Sequence, residues 1–517
     1  MSYMNNTSIS LEQVLESNFG YKTFRIGQKE IIMDILNGSD VLGILPTGTG
    51  KSICYQLPSL LLSGITIVVS PLISLMMDQV KQLKSSGFKD VVAINSFLDF
   101  DQKRYIYQTL QDYKLIFVSP EILQQKELFL YLKQQTISLF VIDEAHCISQ
   151  WGHEFRPDYQ KLNKVLEQLG NPPVLALSAT ATREVQQDII KSLERPWMVK
   201  HIYPMDRENI MLTIQEVEDQ DEKLEVLTRY LSNYKVPTLI YFSSKVSCES
   251  VALQLSVRLP NQRIAYYHGG MEQMDRISIQ QQFMNEQLDV ICCTSAFGMG
   301  INKNNIRLVF HYHFPGQIES YIQEIGRAGR DGKESLSVLL YCRRDEALPK
   351  QLIQSELPQD EDLRRVFRYI QKEADKLSSL DISDIQTLFE ISETQWRFIL
   401  VQLEKNSISL ENVLKYDQDR LDRLLMKIQQ VRDERFKIKM SKYHEMLAWL
   451  KTENCLRKEL YTKFQNDYTV LENQCCSNCG IALDLFNPEQ ANSNPRLAIN
   501  WEKRLHQLLV GENDETK

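Results

Sequence analysis

Few folds accommodate the unit that recurs along this chain. A short, wholly apolar run ends abruptly in small, hydroxyl or acidic residues, and a helical pattern follows. Val41-Leu42-Gly43-Ile44-Leu45 runs into Pro46-Thr47-Gly48-Thr49-Gly50-Lys51-Ser52, Ser138-Leu139-Phe140-Val141-Ile142 into Asp143-Glu144-Ala145-His146, and Leu175-Ala176-Leu177 into Ser178-Ala179-Thr180-Ala181. Runs without a polar face read as buried strands of an α/β sheet. Open sheets of this class bind ligands at the carboxyl ends of their strands, where each of these polar groups falls.

The first group has the composition of a phosphate cradle in its strand-loop-helix context. The strict pattern has Gly where this chain has Leu45, yet Gly48 and Gly50, between Thr47 and Thr49, let backbone N–H groups approach phosphate oxygens. Lys51 is placed to reach the β and γ phosphates of ATP. Ser52 offers a hydroxyl to Mg²⁺ and Asp143 a carboxylate to the same ion, while Glu144 orients water. Ser178 and Thr180 suit a relay of the nucleotide state. Upstream, Gln28 in Phe24-Arg25-Ile26-Gly27-Gln28 offers an amide to the adenine edge. A ligand-free Gly-rich turn and an acidic surface loop are the plain alternatives, and the presence of all the partner motifs argues against both.

A second α/β unit begins at Val236–Phe242, after a polar, acidic connector near Glu216 to Lys223. Its motifs are Tyr267-His268-Gly269-Gly270-Met271, then Asp289 to Lys303, then Gln323-Glu324-Ile325-Gly326-Arg327-Ala328-Gly329-Arg330-Asp331-Gly332. It carries no second Lys-bearing phosphate loop. With the triphosphate on the first lobe, Arg327 and Arg330 would act from across a cleft, with Gln323 beside them coupling closure to hydrolysis. Arginine suits this task because its planar fork engages phosphate oxygens bidentately. A salt-bridged helix face is the alternative for the pair.

Gln28, TGTGKS, DEAH and SAT, in that order, resemble the motifs of superfamily 2 helicases. The stretch Asp143–Tyr159, DEAHCISQWGHEFRPDY, is similar to the aromatic-rich loop of RecQ-family DNA helicases. The resemblance runs from about Phe19 to Tyr341 and departs at Ile26, where the family often has Pro, and at Ser295, where Asn is common. It implies two tandem RecA-like parallel-sheet lobes. It implies ATP-driven 3′ to 5′ movement on single-stranded DNA and duplex unwinding in DNA repair or recombination. Trp151, Phe155 and Arg156 would contact DNA, since rings stack on any base without reading sequence; a core plug between the lobes is the other reading of Trp151. Single-stranded and branched DNA are the expected partners, with a single-strand-binding protein as a further candidate. An RNA-directed helicase and an ATP-gated DNA-binding scaffold are the competing functions, because these motifs alone do not choose the sugar.

Past Tyr341 the order of parts departs from the longer RecQ proteins. Helical patterns over Leu363 to Lys372, Asp381 to Phe389 and Ser392 to Lys405 suggest a winged-helix-like unit, a plain helical spacer being nearly as good a reading. Four of the ten cysteines cluster late: Cys455, Cys475, Cys476 and Cys479. Their spacing allows tetrahedral sulfur coordination of a structural Zn²⁺. The family pattern would place its last ligand at Ala482, so Cys475 has to serve, and adjacent cysteines make awkward joint ligands. Zinc ranks ahead of free thiols, and a disulfide is disfavoured in a reducing compartment. The expected divisions are a first lobe over 1–205, a second over 206–345, a helical unit over 346–425, a zinc module over 426–485, and a linker with a short helix near Trp501 over 486–517.

A chain of 517 residues divides into several domains. Its net charge of −8 argues weakly against a nucleic-acid partner, so local charge matters more. Lys427 to Lys463 is basic and interleaved with Phe436, Tyr443, Trp449, Tyr461 and Phe464, which reads as an amphipathic helix ahead of a DNA-stacking face. Ser52 to Met77 holds no charged residue, but Pro58, Gly64 and Pro71 divide it into helix, strand and helix rather than a membrane span. The polar start lacks the order of a signal peptide, so the expectation is a cytoplasmic, monomeric protein.

Overall fold

The computed structural model describes residues 10–149, 156–298, 303–377, 382–406, 418–465 and 475–481, with 486 and 488. The short helix expected near Trp501 lies outside them. Two sheets carry the first two thirds of the chain. The first is built from β1 (Val41–Ile44), β2 (Ile65–Val69), β3 (Val91–Ile94), β4 (Leu115–Val118), β5 (Ile137–Ile142), β6 (Val174–Ser178) and β7 (Val199–Ile202). The second is built from β8 (Ile210–Glu216), β9 (Thr238–Tyr241), β10 (Ile264–Tyr267), β11 (Val290–Cys293), β12 (Leu308–His311) and β13 (Ser335–Tyr341). Their orders are β3-β4-β2-β5-β6-β1-β7 and β10-β11-β9-β12-β13-β8. Every pairing within them is parallel.

Two parallel-sheet lobes are what the apolar runs predict, because strands covered on both faces need apolar residues on both faces. The burial follows: β1, β2 and β6 are buried along their whole length. Strand order then does what no local pattern could. β5, β6 and β1 are neighbours, with Ile142 level with Ala176 and Ile44 level with Ser178. The phosphate loop, Asp143-Glu144 and Ser178–Thr180 therefore leave adjacent strand ends. The uncharged Ser52 to Met77 stretch folds as the Ile53–Leu61 helix, β2 and the start of the Ile73–Ser85 helix. No helix among the described residues is long and apolar enough to cross a membrane.

Beyond β13 the chain is helical. Helices Asp360–Leu377, Ile382–Phe389 and Glu393–Lys405 surround a small core that includes Leu363, Phe367, Trp396 and Ile399. The third helix opens on a capping box between Ser392 and Gln395. A wing would follow it in residues 407–417, which lie outside the described residues. The 33-residue helix Gln418–Leu450 comes next and corrects one expectation. The division at 425/426 falls inside it, because its first turns give Leu421, Leu424 and Ile428 to the small core while Tyr443, Met446 and Trp449 join the core of the lobes. Its apolar stripe thus serves two cores. The rings between the basic residues are part of that packing: Tyr443, Trp449, Tyr461 and Phe464 are buried, and Trp449 lies 4.8 Å from Tyr321 of the second lobe, ring centre to ring centre. They form an apolar seam and are not available to stack on bases.

Candidate active site

The phosphate loop owes its shape to two glycines. Gly48 and Gly50 have φ of +82° and +74°, a region that costs other residues steric strain. Neighbouring side chains fix the loop further. Arg25 Nη1 donates to the Gly48 carbonyl at 2.5 Å, and Gln28 Nε2 donates to the carbonyls of Thr49 and Gly50 at 2.8 and 3.0 Å. Gln28 Oε1 in turn accepts from the Arg25 N–H at 2.9 Å. Gln28, expected at the adenine edge, thus braces the loop backbone while lining the same cleft. The loop opens on a cleft of about 290 Å³, lined by Lys51, Ser52, Asp143, Glu144, Arg327 and Arg330 among others.

Asp143 and Glu144 stand at the end of β5. Burial first, and then the neighbouring Glu144 charge, push the Asp143 carboxyl up to about 6, with Lys51 opposing. A carboxylate held at such a cost suits a cation, and with Ser52 in the same cleft the donor set fits a hard divalent ion such as Mg²⁺. Glu144 sits in the left-handed region at φ +49°, rare for a residue with a side chain and costing about 1–3 kcal/mol. Its Oε1 is 4.0 Å from Lys51 Nζ, and its buried Oε2 has no hydrogen-bond partner within the protein. Oε1, beside Lys51 in the cleft, is the carboxylate oxygen placed to accept from a water there.

Behind this pair, His146 Nδ1 lies 3.0 Å from Ser178 Oγ and 3.4 Å from Glu144 Oε2. Burial pushes the His146 ring down to about 3, so it is neutral at physiological pH. Ser178 Oγ accepts from the Thr180 N–H at 3.3 Å. The Ser178 hydroxyl is thus one imidazole away from Glu144, and Thr180 joins it through its backbone N–H.

The second lobe meets the first at the phosphate loop. Thr47 Oγ1 donates to the Gly326 carbonyl at 2.9 Å. Arg330 lies over Gly48 so closely that a Cβ there would come within 2.9 Å of its Cγ. Burial, and then the charges of Arg327 and Arg207, push Arg330 down to about 9. Arg327 donates to the Gly298 carbonyl, and Gln323 lines the cleft beside both arginines. Like charges crowded into a desolvated cleft with Lys51 form a receptor for a polyanion.

Three further residues carry the geometry and were not foreseen. Arg207, in the connector between the sheets, donates to the Thr47 carbonyl at 2.9 Å and to the Gly329 carbonyl at 2.5 Å. Asp206 pairs with Arg457, which is wholly buried and also donates to the carbonyls of Arg207 and Ile210. An Asp-Arg pair in a connector reads as solvated, and a lone Arg beside a cysteine reads as surface, so no local signal marks them.

Arg457 also ties the connector to the cysteine cluster. Cys455, Cys475, Cys476 and Cys479 place their sulfurs within 4.8 Å of one another, with Cys455 3.4 Å from Cys475 and 3.9 Å from Cys476. Tetrahedral zinc with bonds of about 2.3 Å sets sulfurs about 3.8 Å apart, so the residues fit the ion. The Ser477–Cys479 turn brings Cys479 back to the adjacent pair, so that all four sulfurs converge. The cluster sits on the edge of the second sheet, where Leu212 bridges Cys476. Though late in sequence, it is close to the second lobe in space. Of the expected DNA contacts, Arg156 donates its N–H to the Cys147 carbonyl at 2.9 Å, while Trp151 and Phe155 lie outside the described residues.

Comparison with known proteins agrees with this layout. The DEAD/DEAH box helicase family matches residues 25–188, and the helicase conserved C-terminal domain matches residues 222–332. The chain is 40% identical over 508 residues to the probable ATP-dependent DNA helicase RecS of Bacillus subtilis, covering 97% of this chain and 99% of that one. It is 43% identical over 351 residues to the ATP-dependent DNA helicase RecQ of Haemophilus influenzae, covering 67% of this chain and 56% of that one, so it spans about half of the latter. Among solved structures, helicase Lhr of Mycobacterium smegmatis bound to single-stranded DNA aligns over 67% of this chain and 49% of its own, with a TM-score of 0.55 at 19% identity. Dbp5 of S. cerevisiae bound to RNA aligns over 66% of this chain and 90% of its own, with a TM-score of 0.54 at 19% identity. These two likenesses speak for the fold alone.

Proposed function

This chain belongs to the RecQ-type ATP-dependent DNA helicases, and from that membership we propose that it hydrolyses ATP between its lobes to move 3′ to 5′ on single-stranded DNA, unwinding duplex in repair or recombination. The observation that carries the reading is the convergence of Lys51, Arg327 and Arg330, from two lobes, on the cleft that holds Asp143 and Glu144.

Each residue has a task in that reaction. The loop N–H groups and Lys51 hold the β and γ phosphates. Ser52 and Asp143 would hold Mg²⁺, whose chemistry is to neutralise phosphate charge. Glu144 orients the attacking water and takes up its proton as the water oxygen bonds to the γ phosphorus and the bond from that phosphorus to the β-phosphate oxygen breaks, releasing ADP. Arg327 and Arg330 meet the charge that builds on the transferring group, and they do so only when the lobes are together. The His146–Ser178 contact links that step to the neighbouring strand end. Trp151, Phe155 and Arg156 follow Glu144 directly in sequence, which supports a DNA contact that reports to the hydrolytic residue. The four cysteines would hold Zn²⁺ as a structural brace.

DNA-stimulated ATPase is the deciding measurement. Lys51→Ala should abolish it, and unchanged turnover in that variant would sink the reading. Stimulation by RNA single strands equal to that by DNA would redirect it to RNA. Unwinding of 3′-tailed, 5′-tailed and forked duplexes then tests polarity, which only a preference for the 3′ tail supports.

A further inference from the structure

We propose that Arg207 is a positioning residue for ATP hydrolysis, spanning the lobes and setting the gap across which Arg327 and Arg330 act; this rests on the ATPase reading above. One face of its guanidinium holds the phosphate loop through the Thr47 carbonyl, and the other holds the Gly329 carbonyl, between the two arginines in sequence. Gly329 has no room to shift. At φ +53° a Cβ there would strike Asn209, Lys333 and Ser335. Arg207 therefore ties two rigid backbone segments together with a planar fork of fixed width.

Its setting argues against simple stabilisation. The group is largely buried, which pushes its pKa down; Tyr461 and Asp331 oppose that shift, while Arg25 and Arg330 add like charge. Both partners at the fork are neutral carbonyls.

The connector bearing Arg207 is itself held from outside the lobes. Arg457 Nη1 donates to the Arg207 carbonyl at 3.1 Å and pairs with Asp206. Gln465 Oε1 accepts from the Met205 and Asp206 N–H groups at 2.9 and 3.3 Å. Arg457 also donates to the Cys475 carbonyl in the cysteine cluster, so the connector is held from there and the fork is placed before nucleotide arrives.

The test compares Arg207→Met and Arg207→Lys with Asn209→Ala in the full chain. Asn209 also donates to the Gly329 carbonyl, at 2.9 Å, but from within the second lobe's own edge. Losing the fork should lower DNA-stimulated kcat on the order of 10²-fold, the scale of a small misplacement at a reacting centre. Binding of a fluorescent ATP analogue and of single-stranded DNA should change by less than about threefold, since Arg207 is assigned to neither ligand. Arg207→Lys should fall between, keeping one of two bonds, and Asn209→Ala should keep kcat near wild type. Small-angle scattering with a non-hydrolysable ATP analogue reads lobe closure without turnover, and Arg207→Met should stay more extended than wild type. Equal closure, or kcat losses matching those of Asn209→Ala, would overturn the positioning role. Wild-type protein without DNA-stimulated hydrolysis would instead defeat the functional reading, and the scattering comparison still decides the role of Arg207.

Discussion

The hydroxyl of Thr47 donates a 2.9 Å hydrogen bond to the carbonyl of Gly326, a residue 279 positions away in sequence. One atom of the phosphate loop thereby senses where the second lobe stands. Gly326 is followed directly by Arg327, so the contact holds the loop in register with the segment that carries both arginines. Four consequences of this and neighbouring contacts can be measured.

Thr47→Val keeps the shape of the side chain and loses the donor. A hydrogen bond is worth about 0.5–1.5 kcal/mol net, so kcat for DNA-stimulated hydrolysis should fall by about 2- to 12-fold. Nucleotide affinity should hold, because the loop glycines and Lys51 are untouched. Steady-state ATPase beside equilibrium nucleotide binding separates the two, and an affinity loss with intact kcat would count against the interlobe role.

Glu144→Gln leaves the strained backbone in place and removes the base. Hydrolysis should drop on the order of 10²- to 10⁴-fold, the usual worth of a positioned proton acceptor, while ATP still binds. A single-turnover rate close to wild type would show that Glu144 does not take the proton.

The cysteine cluster should retain one zinc per chain through purification, measured by elemental analysis. Cys455→Ser should lose that metal and lower the thermal midpoint. Replacing a thiolate ligand leaves the edge of the second sheet, where Leu212 meets Cys476, without its brace. Metal-free protein in which all ten cysteines titrate as thiols would refute the site.

Acid should destabilise the second lobe through His313. Burial, with the Lys223 charge second, pushes this ring down to about 3, and its Nδ1 accepts from the Ser243 N–H at 3.3 Å, which requires the neutral form. The unfolded chain takes up a proton below about pH 6.5 and the folded chain does not, so stability falls as pH drops through that window. The slope for one proton is about 1.4 kcal/mol per pH unit. Urea unfolding between pH 7.5 and 5.0 should show a shallower dependence in His313→Gln, and an unchanged slope would mean another group is responsible.

Much of the site could be read without coordinates because its chemistry is local. Gly48, Gly50, Lys51 and Ser52 lie within five residues, and both the backbone freedom and the phosphate chemistry they provide depend on that spacing. The continuous apolar runs before each motif read as buried strands, the family resemblance implies that they pair in parallel, and the late cysteines are enough to suggest one sulfur cluster. The aromatic rings after Lys427 were harder to read, since one stripe serves a core and a nucleic-acid face equally well until something packs against it. Trp449 against Tyr321 decided that for the core.

What the sequence alone determined is therefore the set of strand-end motifs and the two-lobed parallel architecture. Tertiary structure alone decided that Gln28 braces the phosphate loop, that Arg330 reaches over Gly48, and that Arg207 and the buried Asp206–Arg457 pair tie the lobes and the cysteine cluster together. The reason is physical. Periodicity and turn chemistry act between near neighbours along the chain, whereas a buried guanidinium is defined by carbonyls that crossover connections bring to it from hundreds of residues away, and those leave no local pattern.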